Sequence, residues 1–131
     1  MSATTPPTYR EMDLELSLLA DEPDAVRVGC AGEICLPGFQ PGDNPLARFL
    51  GPGVWSRTVL LDLEKATFLD TSGVGWLIDC HQRFQEAGGT LVLYSVPPRV
   101  RYVLQLLQLE HVLPTAADLA AARSLATRGK V

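Results

Sequence analysis

The chain has 131 residues, 47% hydrophobic and 20% charged, which suits one domain around a single core and argues against disorder. Its net charge is −4 and its eleven Lys and Arg are scattered, Arg99 and Arg101 being the nearest thing to a patch; a nucleic-acid surface, which needs a clustered basic face, is disfavoured. No apolar run approaches the ~20 residues of a membrane span, and the start, MSATTPPTYREMD, lacks the features of a secretory signal, so cytoplasmic residence is expected.

Residues 1–12 are polar and proline-bearing and are expected to form a loose leader to one domain over 13–128. LELSLLADEPDAVRVGCAGEI reads as two strands about the DEPD turn, with Val26, Val28 and Cys30 alternating against Arg27 and Gly29 at the period of a half-buried strand. CLPGFQPGDNP is dense in Pro and Gly and reads as loop. PLARFLG predicts a short helix, capped by Asn44, opened by Pro45 and closed by Gly51. Residues 58–63, TVLLDL, are almost continuously apolar, as a strand covered on both faces requires, and Trp55 just before them is placed to plug the end of the sheet.

Residues 72–87 carry a helical stripe of Val74, Leu77, Ile78 and Phe84 that stops at Gly88-Gly89. On this helix Asp79, Gln82 and Arg83 read as a solvated face. Trp76 lies off the stripe and is read either as packing or as an interface anchor. TLVLYSV is another buried strand. PPRVRYVLQLLQL opens with prolines and sets Val100, Val103, Leu104 and Leu107 on one helical face. HVLP is expected to be a short strand. Thr115 and Asp118, spaced as a capping box, lead into an alanine-rich helix. Strands alternating with helices predict a two-layer α/β domain with a largely parallel sheet.

The stretch FLDTSGVGWL, residues 68–77, gathers Asp70, Thr71, Ser72, Gly73 and Gly75 where a strand gives way to a helix. Three readings compete: a nucleophile with its helper, a phosphate-handling loop, and helix capping. A serine hydrolase needs an oriented base. His81 lies about 15 Å up the helix from Thr71, nothing places His111, and no G-x-S-x-G elbow is present. No catalytic residue is therefore expected, and the chain reads as a non-enzyme. No G-x-x-x-x-G-K-[ST] or G-x-G-x-x-G is present either, so no cofactor is expected. Cys30, Cys35, Cys80 and His81 fit no metal-ligand spacing, and three cysteines make no disulfide framework. What remains is a hydroxyl that itself receives a phosphoryl group, or capping alone.

The run VLLDLEKATFLDTSGVGWLIDCHQRFQEAGGTLVLYSVPPRVRYVLQLLQL resembles the STAS domain, typified by bacterial anti-sigma factor antagonists. The family has a strand with Asp, then Asp-Ser/Thr-Ser/Thr-Gly-apolar-Gly, a helix, Gly-Gly, a strand and a Pro-led helix with a Leu-rich end. Gly32-Glu33-Ile34 matches the family's Gly-Glu-Leu. The resemblance implies a mixed, largely parallel sheet of four to five strands with helices on one face, and a binding module rather than an enzyme. It also implies an anti-sigma factor or serine/threonine kinase as partner, one that phosphorylates the hydroxyl after the motif's Asp and is then released. That residue is Thr71 here, with Ser72 the alternative. Asp70, Ser72, Gly73, Val74, Gly75 and Trp76 are expected at the docking surface. Cys35 stands where the family usually has an acidic residue, and Thr71 where Ser is commoner. The alternative is a non-phosphorylated STAS scaffold subunit of a stress-signalling complex or an ABC-type transporter assembly. A homodimer is left open, with Leu109 its candidate contact.

Overall fold

The computed structural model describes residues 6–128. In chain order they form β1 (Thr8–Glu11), β2 (Leu14–Asp21), β3 (Val26–Ile34), α1 (Pro45–Leu50), a 3-10 turn (Pro52–Ser56), β4 (Thr58–Leu69), α2 (Thr71–Ala87), β5 (Thr90–Tyr94), α3 (Pro98–Leu106), a second 3-10 turn (Leu109–His111), β6 (Thr115–Ala116) and α4 (Leu119–Arg128). The six strands lie in sequence order in one sheet. β1–β2 and β2–β3 pair antiparallel, while β3–β4, β4–β5 and β5–β6 pair parallel. The sheet is thus mixed and mostly parallel, as expected.

β4 is its spine. Val59, Leu60, Leu61 and Leu63 are all within 1% of full burial, and the alternation of a strand sends them to opposite faces. Val59, Leu61 and Leu63 join the main core with Leu91 and Leu93 of β5, Trp76, Leu77 and Phe84 of α2, and Val100 and Leu104 of α3. Leu60, Val92 and Tyr94 face the other way and meet Ala122 and Ala126 of α4. Helices on one face is therefore true of α1, α2 and α3, whereas α4 covers the opposite face. Small alanines let that helix lie close to the strands.

The strand count exceeds the expected four to five at the edges of the sheet. Thr8–Glu11, assigned to a loose leader, pairs instead with residues 14–17 of β2, because two residues of turn suffice to fold it back. Residues 1–5 lie outside the described residues. HVLP is not a strand: His111 ends a 3-10 turn, and the last strand is Thr115–Ala116, hydrogen-bonded beside Leu93 and Tyr94. That places Thr115 in the sheet, and Asp118 alone caps α4, its Oδ1 accepting from Ala121 N at 2.8 Å.

Local chemistry sets the helix ends nearest the site. Asn44 Oδ1 accepts from Leu46 N at 2.9 Å and Pro45 opens α1. Gly88 closes α2 at φ 84°, a left-handed position that glycine adopts without strain. Trp55 is buried edge-on against Phe84, ring centroids 5.0 Å apart, and closes the end of the core as expected. Pairing of β4 with β5 stops at Asp62–Tyr94, but β3 and β4 continue paired to Ile34–Leu69. This two-strand extension carries the start of α2 beyond β5.

Candidate functional site

The site lies where that extension ends. Asp70 caps α2 with an extended backbone, φ −112° and ψ −174°. Its Oδ1 accepts from Gly73 N at 3.0 Å and from the Ser72 hydroxyl at 2.6 Å. Its Oδ2 accepts from the Cys35 thiol at 2.9 Å. Ser72 Oγ in turn accepts from Leu36 N at 2.8 Å. The end of β3, the loop after it and the start of α2 are thereby joined by one hydrogen-bond chain. Gly73 is buried with its Cα against the Ile34 carbonyl, and a Cβ there would stand 2.1 Å from that oxygen. No side chain fits, so the family-like glycine is a packing requirement.

The charges follow from the geometry. Burial works against ionisation of Asp70, but hydrogen bonds from Cys35, Ser72 and the Gly73 and Ser72 backbone outweigh it, and the carboxyl sits below its ordinary value. The Cys35 thiol is pushed up, chiefly by its bond to the Asp70 carboxylate and then by desolvation. It therefore stays a protonated donor at neutral pH. In a position that the resemblance associates with an acid, this chain puts a hydrogen-bond donor to Asp70.

Thr71 differs from its neighbours. It occupies the first position of α2, is exposed, and its hydroxyl joins no hydrogen bond among the described residues. Gly75 is exposed one turn on, while Gly73 and Val74 are buried and shape the surface from beneath. Trp76 corrects an expectation: it is fully buried and its indole N–H donates to Asn44 Oδ1 at 2.9 Å, so it anchors the loop from inside and is no surface contact. The same Asn44 donates through Nδ2 to Asp79 Oδ2 at 2.9 Å, and Arg83 Nε donates to that oxygen at 2.8 Å. Arg83 also donates to the Pro41 carbonyl. Asp79 and Arg83 are thus half-buried loop anchors, not a solvated face.

Sequence reasoning missed Asn44 as the hub of this network. The signal was available: Trp76, Asp79 and Arg83 recur at three- and four-residue spacing along one side of α2. It also missed Phe68, 42% exposed three residues before Thr71, an apolar side chain next to the proposed docking surface.

The other candidate ligands and bases stay apart from the cluster. Cys30 and Cys80 are buried in the core, where burial holds both thiols protonated and lifts Cys80 to about 12. Among the described residues no group of three or more His, Cys, Asp or Glu is arranged to hold a metal. His81 lies about 15 Å along α2 from Thr71, and partial burial lowers its pKa. Among the described residues no helix is long and apolar enough to cross a membrane.

The STAS domain family model matches residues 12–122, and the chain belongs to that family. The fold is similar to that of an anti-sigma factor antagonist from Mycobacterium paratuberculosis, at 22% identity, covering 86% of this chain and 94% of that one with a TM-score of 0.64. It is also similar to the anti-sigma factor antagonist SpoIIAA in its unphosphorylated form, at 21% identity, 88% and 98% coverage and a TM-score of 0.59. A third similar structure is a STAS domain protein from Planctomyces limnophilus, at 19% identity, 89% and 98% coverage and a TM-score of 0.55.

Proposed function

We propose that this chain is a protein-interaction switch of the anti-sigma factor antagonist type. With Thr71 unmodified it binds an anti-sigma factor or serine/threonine kinase, and phosphorylation of Thr71 releases that partner. The observation that supports this reading best is the contrast between adjacent hydroxyls. Ser72 Oγ is held on both sides, donating to Asp70 and accepting from Leu36 N, whereas Thr71 is exposed with its hydroxyl unengaged among the described residues. A kinase approaching from solvent meets Thr71 first, and Ser72 would have to break the cap to react.

In the transfer, Thr71 Oγ1 forms a bond to the terminal phosphorus of a nucleoside triphosphate held by the partner. The bond to the nucleoside diphosphate breaks, and the hydroxyl proton passes to a base. Asp70 is a poor base here, because both its oxygens already accept hydrogen bonds and its pKa is lowered. The base therefore belongs to the partner. The product adds about −1.5 to −2 charges at neutral pH. The positive end of the α2 dipole tolerates that charge, so the fold persists while an interface built over Asp70 and Thr71 gains like-charge repulsion. Such a switch works in the cytoplasm, where the nucleotide is available.

The test is phosphopeptide mapping after incubation with ATP and the candidate kinase encoded nearest this chain's gene. One phosphoryl group at Thr71, lost in Thr71→Ala, is the expected result. Modification at Ser72 alone, or a partner that binds Thr71→Asp as tightly as the unmodified chain, would contradict the switch.

A further inference from the structure

Leu109, expected from sequence as a dimer contact, is packed into the main core instead. On that side of the sheet no buried side-chain polar atom lacks a partner among the described residues. The side that α4 covers is different. Arg27 Nε, Thr58 Oγ1 and the Tyr94 hydroxyl are buried there without a hydrogen-bond partner among the described residues. Strand alternation puts all three opposite Val26, Val28, Val59 and Leu93 of the main core. Native folds seldom strand such groups unless something outside the chain serves them.

Thr58 borders an opening. It is 4% exposed and, with Asp24, Ala25, Leu60, Arg123 and Ala126, lines a cavity of about 190 Å³ between the sheet and the last turns of α4. Ala25, Leu60 and Ala126 give the cavity apolar surface, and its two charged residues have opposite signs. Asp24 is exposed in the turn between β2 and β3, which backbone hydrogen bonds between Glu22 and Ala25 at 3.0 and 3.3 Å hold closed. Arg123 enters from α4, and one end of its guanidinium donates to Glu22 Oε1 at 2.8 Å. That bond comes first in holding the guanidinium above its ordinary value, and the Asp24 carboxylate adds to it. The two charges therefore act on each other across the cavity, yet they form no ion pair.

We propose that this cavity binds a free amino acid with an aliphatic side chain. Its ammonium group meets Asp24, and its carboxylate meets the guanidinium donors of Arg123 that Glu22 leaves unused. Its side chain lies against Leu60 and the two alanines, and the Thr58 hydroxyl finds its missing partner in the ligand. A cavity of about 150 Å³ takes a molecule of about six non-hydrogen atoms, so this one suits valine or leucine and is too small for a nucleotide. Such a ligand bridges the β2–β3 turn and α4 and ties the helix to the sheet. Thr58 opens β4 and Thr71 follows its far end, so the site is independent of the switch.

The full chain titrated with L-valine, L-leucine and L-isoleucine in turn, followed by amide NMR, tests it. The expected result is a saturable shift of amides around Asp24, Thr58 and Arg123 by at least one of them, with a dissociation constant on the order of 0.1–1 mM. Excess ligand then raises the Tm. Isoamylamine and isocaproate, which each keep one of leucine's charges, bind at least about tenfold more weakly, because each leaves one charged residue unpaired. Asp24→Asn, at an exposed position that the fold does not need, weakens binding at least about tenfold. Thr58→Val weakens it about threefold or more and leaves the free chain at least as stable, since a methyl replaces a hydroxyl without a partner. No saturable shift with any of the three up to about 20 mM would overturn the proposal. So would an amine or acid that binds as tightly as the amino acid, or binding that Thr58→Val leaves unchanged, the result expected if water alone serves the hydroxyl.

Discussion

The loop at residues 35–44 is fastened to α2 at both ends, and the two fastenings are built differently. At its far end Asn44, 4% exposed, sits among Trp76, Cys80 and Asp79, a buried network in which every lost partner leaves a polar atom dry. At its near end Cys35 and Leu36 meet Asp70 and Ser72, half-buried groups within reach of water. The first fastening holds the fold. The second leaves the adjacent Thr71 exposed to solvent.

Breaking the buried fastening should have the largest effect. Asn44→Ala removes the cap of α1 and strands the Trp76 N–H and one Asp79 contact, an expected loss of about 2–4 kcal/mol in chemical denaturation. A loss below ~1 kcal/mol would mean that the network is wetter than its burial implies. Gly73→Ala, which drives a Cβ onto the Ile34 carbonyl, should cost about 3 kcal/mol through overpacking and separates strain at the near end from hydrogen bonding there. Ser72→Ala removes two hydrogen bonds in a site open to water, for about 1–2 kcal/mol by the same measurement.

Acid and base probe the near fastening, against a background from the buried Cys30 and Cys80 thiols and from His81, so the comparison is made between Cys35 variants. A carboxyl held below its ordinary value favours folding above the ordinary carboxylate range and loses that contribution as pH falls through the folded value. A thiol held above its ordinary value favours folding below the ordinary thiol range and loses it as pH rises through the folded value. Stability should therefore fall on both sides of neutrality, and the lowered His81 imidazole adds a loss of its own as the pH drops below its ordinary value. Cys35→Ser, which keeps a donor, should leave the acid limb in place. Cys35→Asp should destabilise the neutral protein and recover as the pH falls, because two adjacent carboxylates cannot both ionise cheaply. Equal acid limbs in both variants would show that Cys35 does not hold Asp70.

Thr71→Asp should be the smallest perturbation of all, within about 0.5 kcal/mol of wild type in thermal unfolding, while sharply weakening partner binding by titration calorimetry. That separation between stability and binding is the sharpest form of the contrast between the two fastenings.

Much of this was legible from residues alone. The apolar run at 58–63, the stripe ending at Gly88, the Asn44-Pro45 helix start and the Asp70-Thr71-Ser72-Gly73 turn all carry their own local signals, and each was read in the right place. Short edge strands were not legible. Thr8–Glu11 and Thr115–Ala116 owe their conformation to a neighbour's free backbone groups, which no local pattern records. Trp76 and Asp79 were misread for a related reason. A polar or off-stripe position on a helix is buried or wet according to what lies across from it, and here that is a loop anchored from thirty residues earlier.

The sequence by itself determined the class of fold and the position of the motif at a strand-to-helix junction, because these rest on local periodicity and capping. Only the tertiary structure shows how differently the two adjacent hydroxyls are surrounded. The Leu36 N–H and the Asp70 carboxylate engage Ser72 from opposite sides and leave Thr71 exposed, an outcome set by how the end of β3 packs against the start of α2.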